Sequence, residues 1–335
     1  MRQETLRRLV SLGLLLLLVI IFSLASDTFF TVGNLTNLLR ECAIIGILAV
    51  GVTTVIITGG NDLSCGALLG VVCSFIGYSL HYTTWNIGVI LMLSFLIALA
   101  GGLFNGFLVA VLHIPDFIAT LSSKFVYIGL MYVFAIRNAT GQITTERITL
   151  PIFRALGGRG PLGIYIITFV FLGMALLAQF LLKNTRLGTR IYAVGSNRTS
   201  AEYSGISVVK TKIIAFMISG LCAFIAAMSY LGKTRAVDTS SGIGMEFKAI
   251  ASSVIGGAAF SGGRGDMIGT LIGVLFLQTL ENGILKFGFP TEVQQIVSGV
   301  VIVSMLVFDA FYHRYMSEHN KKAAVIAREM KAVLK

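Results

Sequence analysis

Long apolar runs, separated by only a few polar residues, recur from one end of this chain to the other. A run with no polar face cannot lie on the surface of a soluble domain. It can cross a bilayer, whose hydrocarbon layer of about 30 Å takes about 20 apolar residues in helical form. A backbone in lipid must satisfy its own hydrogen bonds, so each run is predicted to be helical. Ten such runs occur: Leu9–Ala25, Cys42–Thr58, Leu63–Leu80, Ile87–Leu112, Phe117–Ile136, Leu162–Leu182, Ile213–Leu231, Phe247–Phe260, Met267–Phe287 and Val293–Phe311. The composition agrees, with 56% hydrophobic and 12% charged residues and a mean hydropathy of +0.87. The expected fold is an all-α membrane protein of about ten transmembrane helices, a single membrane domain over residues 1–335.

Charge sets the orientation. A net charge of +11 is spread over the edges of apolar spans, the pattern of cytoplasmic loops beside lipid headgroups rather than of a nucleic-acid surface. Arg2, Arg7 and Arg8 precede the first run without a small-residue cleavage site leading into a soluble domain, so that run reads as a span. Arg314, Lys321, Lys322, Arg328, Lys331 and Lys335 lie in a tail of residues 313–335. Ten spans put both termini on one side, and the positive-inside rule makes that side cytoplasmic. The same count places the polar segment 183–212 there, with Lys183, Arg186, Arg190, Arg198, Lys210 and Lys212 against Glu202 alone. Within it "SNRTSAEYSG" has a capping Asn197, helix-compatible Ala201 and Glu202, and a stop at Gly205, which predicts a short amphipathic helix along the membrane surface.

Four stretches in order, "VIITGGNDLSCGALLG", "GLFNGFLVAVLHIPDFIATL", "AVGSNRTSAEYSGISVVKTKI" and "GIGMEFKAIASSVIGGAAFSGGRGDMIGTLIG", resemble motifs of the permease subunits of bacterial ABC monosaccharide importers, the ribose-type family. The likeness covers most of the chain from Ile57 to Gly273. It implies a translocation subunit that is not itself an enzyme, in the bacterial cytoplasmic (inner) membrane. No cofactor is expected in this chain, since ATP would be bound by separate cytoplasmic ATP-binding subunits. An extracytoplasmic sugar-binding protein and a second permease chain, identical or related, are the other partners implied. The resemblance makes the polar segment the coupling element, with Gly195, Asn197, Glu202, Ser204 and Gly205 on the family's motif and Arg198 beside Glu202 as a charged contact. The sequence departs from the pattern at Asn61, Cys65, Ser122–Phe125, Thr199–Ser200, Phe247 and Lys248, and these departures bear on the cargo.

Polar residues inside apolar runs mark either a translocation route or hydrogen bonds between helices. Asn105, Lys124, Gln278, Glu281 and Asn282 are the candidates, with Glu281 the possible partner of Lys124. Asp62 is placed at the start of the third span, to cap it, or to meet substrate. Glu246 and Arg235 fall in an expected external loop, Gly232–Glu246. Gly59–Gly60 and Gly262–Gly263 permit close packing or mark helix breaks, and suggest a weak parallel repeat that "FNGF" and "ENGI" do not share.

Other chemistry fits poorly. "AMSYLGKT" ends like a phosphate loop but has Ala227 where the first glycine belongs, within an apolar span. "GRGD" at Gly263–Asp266 looks like an intramembrane aspartyl protease motif, yet the nearest second aspartate, Asp309, sits near a helix end. His81, His113, His313 and His319 are scattered, and Cys42, Cys65, Cys73 and Cys222 lack ligand spacing, so no metal site is expected. The alternative to an importer subunit is a self-sufficient secondary transporter or channel for a small polar solute. A coupled carrier of that kind needs a carboxylate relay in mid-membrane, for which Glu281 is the nearest approach.

Overall fold

The computed structural model describes residues 2–290, 292–301, 303, 304 and 307, with residues 2–8 and 10 by backbone alone. Asp309, His313, His319, the basic tail and the end of the tenth run lie outside the described residues. The chain divides at Phe287–Gly288 into two units. In the second, residues 292–301 are helical.

The first unit is built from α1 (Arg2–Ala25), α2 (Val32–Ile57), α3 (Cys65–Tyr82), α4 (Ile87–Ala110), α5 (Asp116–Val133), α6 (Pro151–Leu156), α7 (Ile166–Asn184), α8 (Arg186–Ser196), α9 (Arg198–Tyr203), α10 (Val208–Thr234), α11 (Met245–Ile255) and α12 (Met267–Lys286). Among the described residues seven helices, α2, α3, α4, α5, α7, α10 and α12, are long and apolar enough to cross a membrane. The apolar part of α1, Ser11–Ala25, is shorter.

α2 is the central post, enclosed along almost its whole length. Its Thr53 hydroxyl bonds Ser253 and Thr270, each at 2.8 Å. α10 packs most extensively on α4 and α2. Small residues allow this: a Cβ on Gly102 would strike the Phe216 carbonyl, and one on Gly220 the Ala98 carbonyl. Apolar faces are left outside on α1, α4, α5 and α7, where Leu16, Leu24, Phe104, Phe125, Leu176 and Phe180 are exposed. All four cysteines are free and buried. α10 runs unbroken through "AMSYLGKT", and Lys233 at its end pairs with Glu41.

The eighth apolar run departs from expectation. It forms no continuous span over Phe247–Phe260, because α11 has only 11 residues and ends at Gly256. The chain reaches it through a two-residue strand and a run of turns over residues 239–244. β2 (Ala236–Val237) pairs antiparallel with β1 (Glu146–Arg147), and the segment then descends along α3. Val237 lies against Gly77, the Ser241 carbonyl against Gly70, and Gly242 and Glu246 against Gly66. That path follows about 16 Å of α3. The crossing is therefore a non-helical, turn-rich half followed by a helical half, an arrangement tolerated in membranes where protein surrounds the open backbone. Glu246, expected in an external loop, is instead fully buried beside α3. After α11 a glycine-rich loop leads to Asp266, whose carboxylate accepts from the Gly269 amide at 2.8 Å and caps α12.

Candidate functional site

The polar segment folds as two short helices where one was expected. Thr185 caps α8, its hydroxyl accepting from the Gly188 amide at 3.3 Å. Asn197 then closes α8 and opens α9, its side-chain oxygen accepting from the Ser200 amide at 2.9 Å. On the exposed side of α9, Arg198 and Glu202 form an i,i+4 pair at 3.1 Å. Arg198 also reaches His113, in the α4–α5 connection, at 3.5 Å. The Ser204 hydroxyl donates to the Ser200 carbonyl at 2.9 Å. Gly205, at φ +76°, turns the chain into α10 while its amide donates to the Glu202 carbonyl at 3.0 Å. Beneath α9, Val194, Ala201 and Val208 form a small apolar cluster that fixes it to α8 and the start of α10. Tyr203, at its end, is 89% exposed. Sequence reasoning passed over this residue, although an aromatic among small polar neighbours with no apolar partner at i−3 or i−4 was a readable sign.

Behind these helices three backbones meet. A Cβ on Gly195 would collide with the Ile57 carbonyl at the end of α2 and lie 2.5 Å from the Gly263 amide. The Gly263 amide donates to that same Ile57 carbonyl at 2.8 Å. Gly59 and Gly262 face each other so closely that a Cβ on Gly262 would lie 2.8 Å from the Gly59 Cα. Gly60 lies over Val55 in the turn that leaves α2. The Tyr192 hydroxyl of α8 donates to the Gly265 carbonyl at 2.7 Å. The two glycine pairs noted in the sequence thus touch each other, with Gly195 wedged between them.

The polar residues that the sequence placed inside the spans fall into four groups. Asp62 precedes α3 and accepts from the Ser64 amide at 2.9 Å and the Ser64 hydroxyl at 2.7 Å. Its other oxygen accepts from Ser219, halfway along α10, at 2.6 Å. Asp62 therefore shapes the turn into α3 and ties it to α10, whereas the cap position of α3 is Ser64, with no side-chain cap bond. Asn105 joins this group, donating to the Ser64 hydroxyl at 2.7 Å. In a second group Lys124 of α5 meets Glu246 of α11 at 2.5 Å and lies 4.8 Å above the Phe247 ring. The partner suggested by sequence, Glu281, is taken by Lys248 at 2.8 Å and by Gln278, which donates to it at 3.2 Å. Asn282 exchanges hydrogen bonds with Asn34 of α2 at 2.8 and 3.1 Å. Chain distance hid the pairings of Asp62 with Ser219, Lys124 with Glu246, Lys248 with Glu281 and Asn34 with Asn282, because each joins elements far apart in sequence. Among the described residues no cluster of His, Cys, Asp and Glu is fit to hold a metal.

A bundle of apolar helices with a broken crossing, buried polar pairs and a helical polar segment at one end is the architecture of a membrane transport protein. The comparisons place it within that class. The family model described as "Branched-chain amino acid transport system / permease component" matches residues 34–306. The chain is 36% identical over 303 residues to the ribose import permease protein RbsC of Escherichia coli (strain K12), covering 89% of this chain and 92% of that one. It is 32% identical over 311 residues to the probable ABC transporter permease protein YphD of the same organism, covering 90% of each. The autoinducer 2 import system permease protein LsrC of Photorhabdus luminescens is 28% identical over 305 residues, 90% of this chain and 89% of that one. The chain belongs to this family of permease components, and is a multi-pass subunit of an ABC importer in the cytoplasmic membrane.

Proposed function

We propose that the cargo is a monosaccharide or similar small polyol, and that the chain moves it by alternating access driven by ATP hydrolysis in separate cytoplasmic subunits. The observation that carries the sugar reading is the 36% identity to a ribose import permease over nearly the whole of both chains. The autoinducer 2 permease among the relatives keeps the choice of small polyol open. In this reading α8 and α9 face the cytoplasm, as do both termini, in keeping with the basic residues of the polar segment. A membrane bundle has no site for ATP, so energy arrives as displacement. α9, with Arg198, Glu202 and Tyr203 outward, is the part an ATPase would grip, and the glycine junction passes its motion to α2 and the loop before α12. An extracytoplasmic binding protein would deliver the sugar at the opposite end, to this chain paired with a second permease chain. Asn105, Lys124, Gln278, Glu281 and Asn282 are proposed to border the route, where each already holds a protein partner, so that the cargo would meet only weak contacts and leave readily.

The test is reconstitution of the chain with its ATP-binding and sugar-binding partners in liposomes, with labelled ribose and related sugars offered outside. Accumulation of one of them only with ATP supports the proposal. Uptake by this chain alone without ATP, driven by an ion gradient, contradicts it and points to a secondary transporter.

A further inference from the structure

The half-crossing α11 is bound to its neighbours in unlike ways. Against α12 it is packed backbone to backbone, since a Cβ on Gly269 would strike the Gly256 carbonyl and one on Gly273 the Ser252 carbonyl. The Lys248–Glu281 pair at 2.8 Å reinforces that contact. α11 and α12 with the loop between them make one body, which α2 also holds through Thr53, bonded to Ser253 and Thr270. α5 does not pack along α11. It meets that body through Lys124, whose ammonium is paired with the wholly buried Glu246 at 2.5 Å and lies over Phe247.

Two further features make this body movable from the polar end. On its entry side the chain turns into α11 through Gly244, at φ +88°, where a Cβ would meet nothing within 4 Å, which leaves room for a hinge. On its far side the 256–266 loop is tied to α8 through Tyr192 and Gly265 and through the contact of Gly195 with Gly263. Parting the buried ammonium from its carboxylate is costly unless another partner or water takes each charge, so a partly open pair is disfavoured.

We propose that α11 and α12 form a lever linking α8–α9 to α5, and that Lys124–Glu246 is the contact that opens and remakes in each transport cycle. The inference rests on the importer reading above and adds to it a route: from α8 to the 256–266 loop, along α11, and across the ion pair to α5. Lys124 and Glu246 are positioning residues in this scheme. They set where α5 sits for each position of the lever and need not touch the cargo.

The experiment uses the assembled transporter with its partner subunits in liposomes, and measures sugar taken up per ATP hydrolysed. Lys124→Met and Glu246→Gln are each expected to lower that ratio by about tenfold or more, and the double swap Lys124→Glu with Glu246→Lys to restore most of it. Uptake and hydrolysis falling together at an unchanged ratio would show a merely structural pair and overturn the proposal, as would single variants with wild-type ratios. A second measurement does not depend on those variants folding. Spin labels at Val126→Cys of α5 and Ile268→Cys of α12, both exposed positions, report the separation between α5 and the lever. The distance is expected to shift when a non-hydrolysable ATP analogue binds the complex, and an unchanged distance overturns the lever. Wild-type uptake without ATP would instead contradict the importer reading, and the inference would fall with it.

Discussion

At Gly195 a single methyl group has nowhere to go. Its Cβ would enter the Ile57 carbonyl and crowd the Gly263 amide, and both obstacles are backbone that cannot rotate aside. Gly195→Val is therefore expected to destabilise the bundle by about 1–3 kcal/mol, the usual cost of overpacking. A lowered melting temperature of the detergent-purified protein checks this, and an unchanged one contradicts the close approach. The residue was readable in sequence as part of a motif, but its physical reason was not, since Gly195, Ile57 and Gly263 are brought together only by the fold. Lys124 teaches the same lesson. A lysine in an apolar run demands a partner, and sequence could say so. It pointed to Glu281 and passed over Glu246, the partner in the structure, because Glu246 was read as lying in a loop outside the membrane.

The element that sequence read least well is α11. Phe247–Phe260 has the composition of a crossing, and composition alone does not distinguish a full span from a half-helix closed by Gly256 and Gly257. The preceding polar stretch, Asp238–Gly244, read as solvated loop because its depth depends on α3 and its glycines, Gly66, Gly70 and Gly77, which form the groove it lies in. By contrast α9 was legible almost to the residue, because its signals are local: Asn197 to start it and Gly205 to stop it. Gly205 also allows a sharp test at this scale. A Cβ there meets nothing within 4 Å, so Gly205→Ala suffers only the strain of φ +76°, of the order of 1 kcal/mol. Gly205→Pro cannot adopt that angle and loses the amide that donates to Glu202. The proline variant is expected to abolish sugar uptake while reaching the membrane normally, and the alanine variant to keep most of its uptake. Equal uptake by the two, measured beside the amount of each in the membrane fraction, would deny α9 a role in coupling.

For the molecule as a whole, hydropathy carried the fold class, because a chain this apolar has one solvent open to it. Seven of the expected crossings appear as helices of sufficient length among the described residues. What hydropathy does not carry is how the polar segment touches the rest of the bundle. Those contacts lead inward through the glycine junction and outward through Arg198, Glu202 and the exposed Tyr203. Under the proposed function the outward face of α9 holds the ATPase. The most direct measurement is to tag the chain in its native cell, extract it in mild detergent, and identify by mass spectrometry what accompanies the wild type, a Tyr203→Asp variant and a Glu202→Lys variant. Both substitutions fall on exposed side chains, so the fold should survive them. A stoichiometric ATP-binding subunit with the wild type, reduced several-fold or lost with both variants, is the predicted result. The same subunit retained in full by both variants would contradict the assignment of α9 as the docking element.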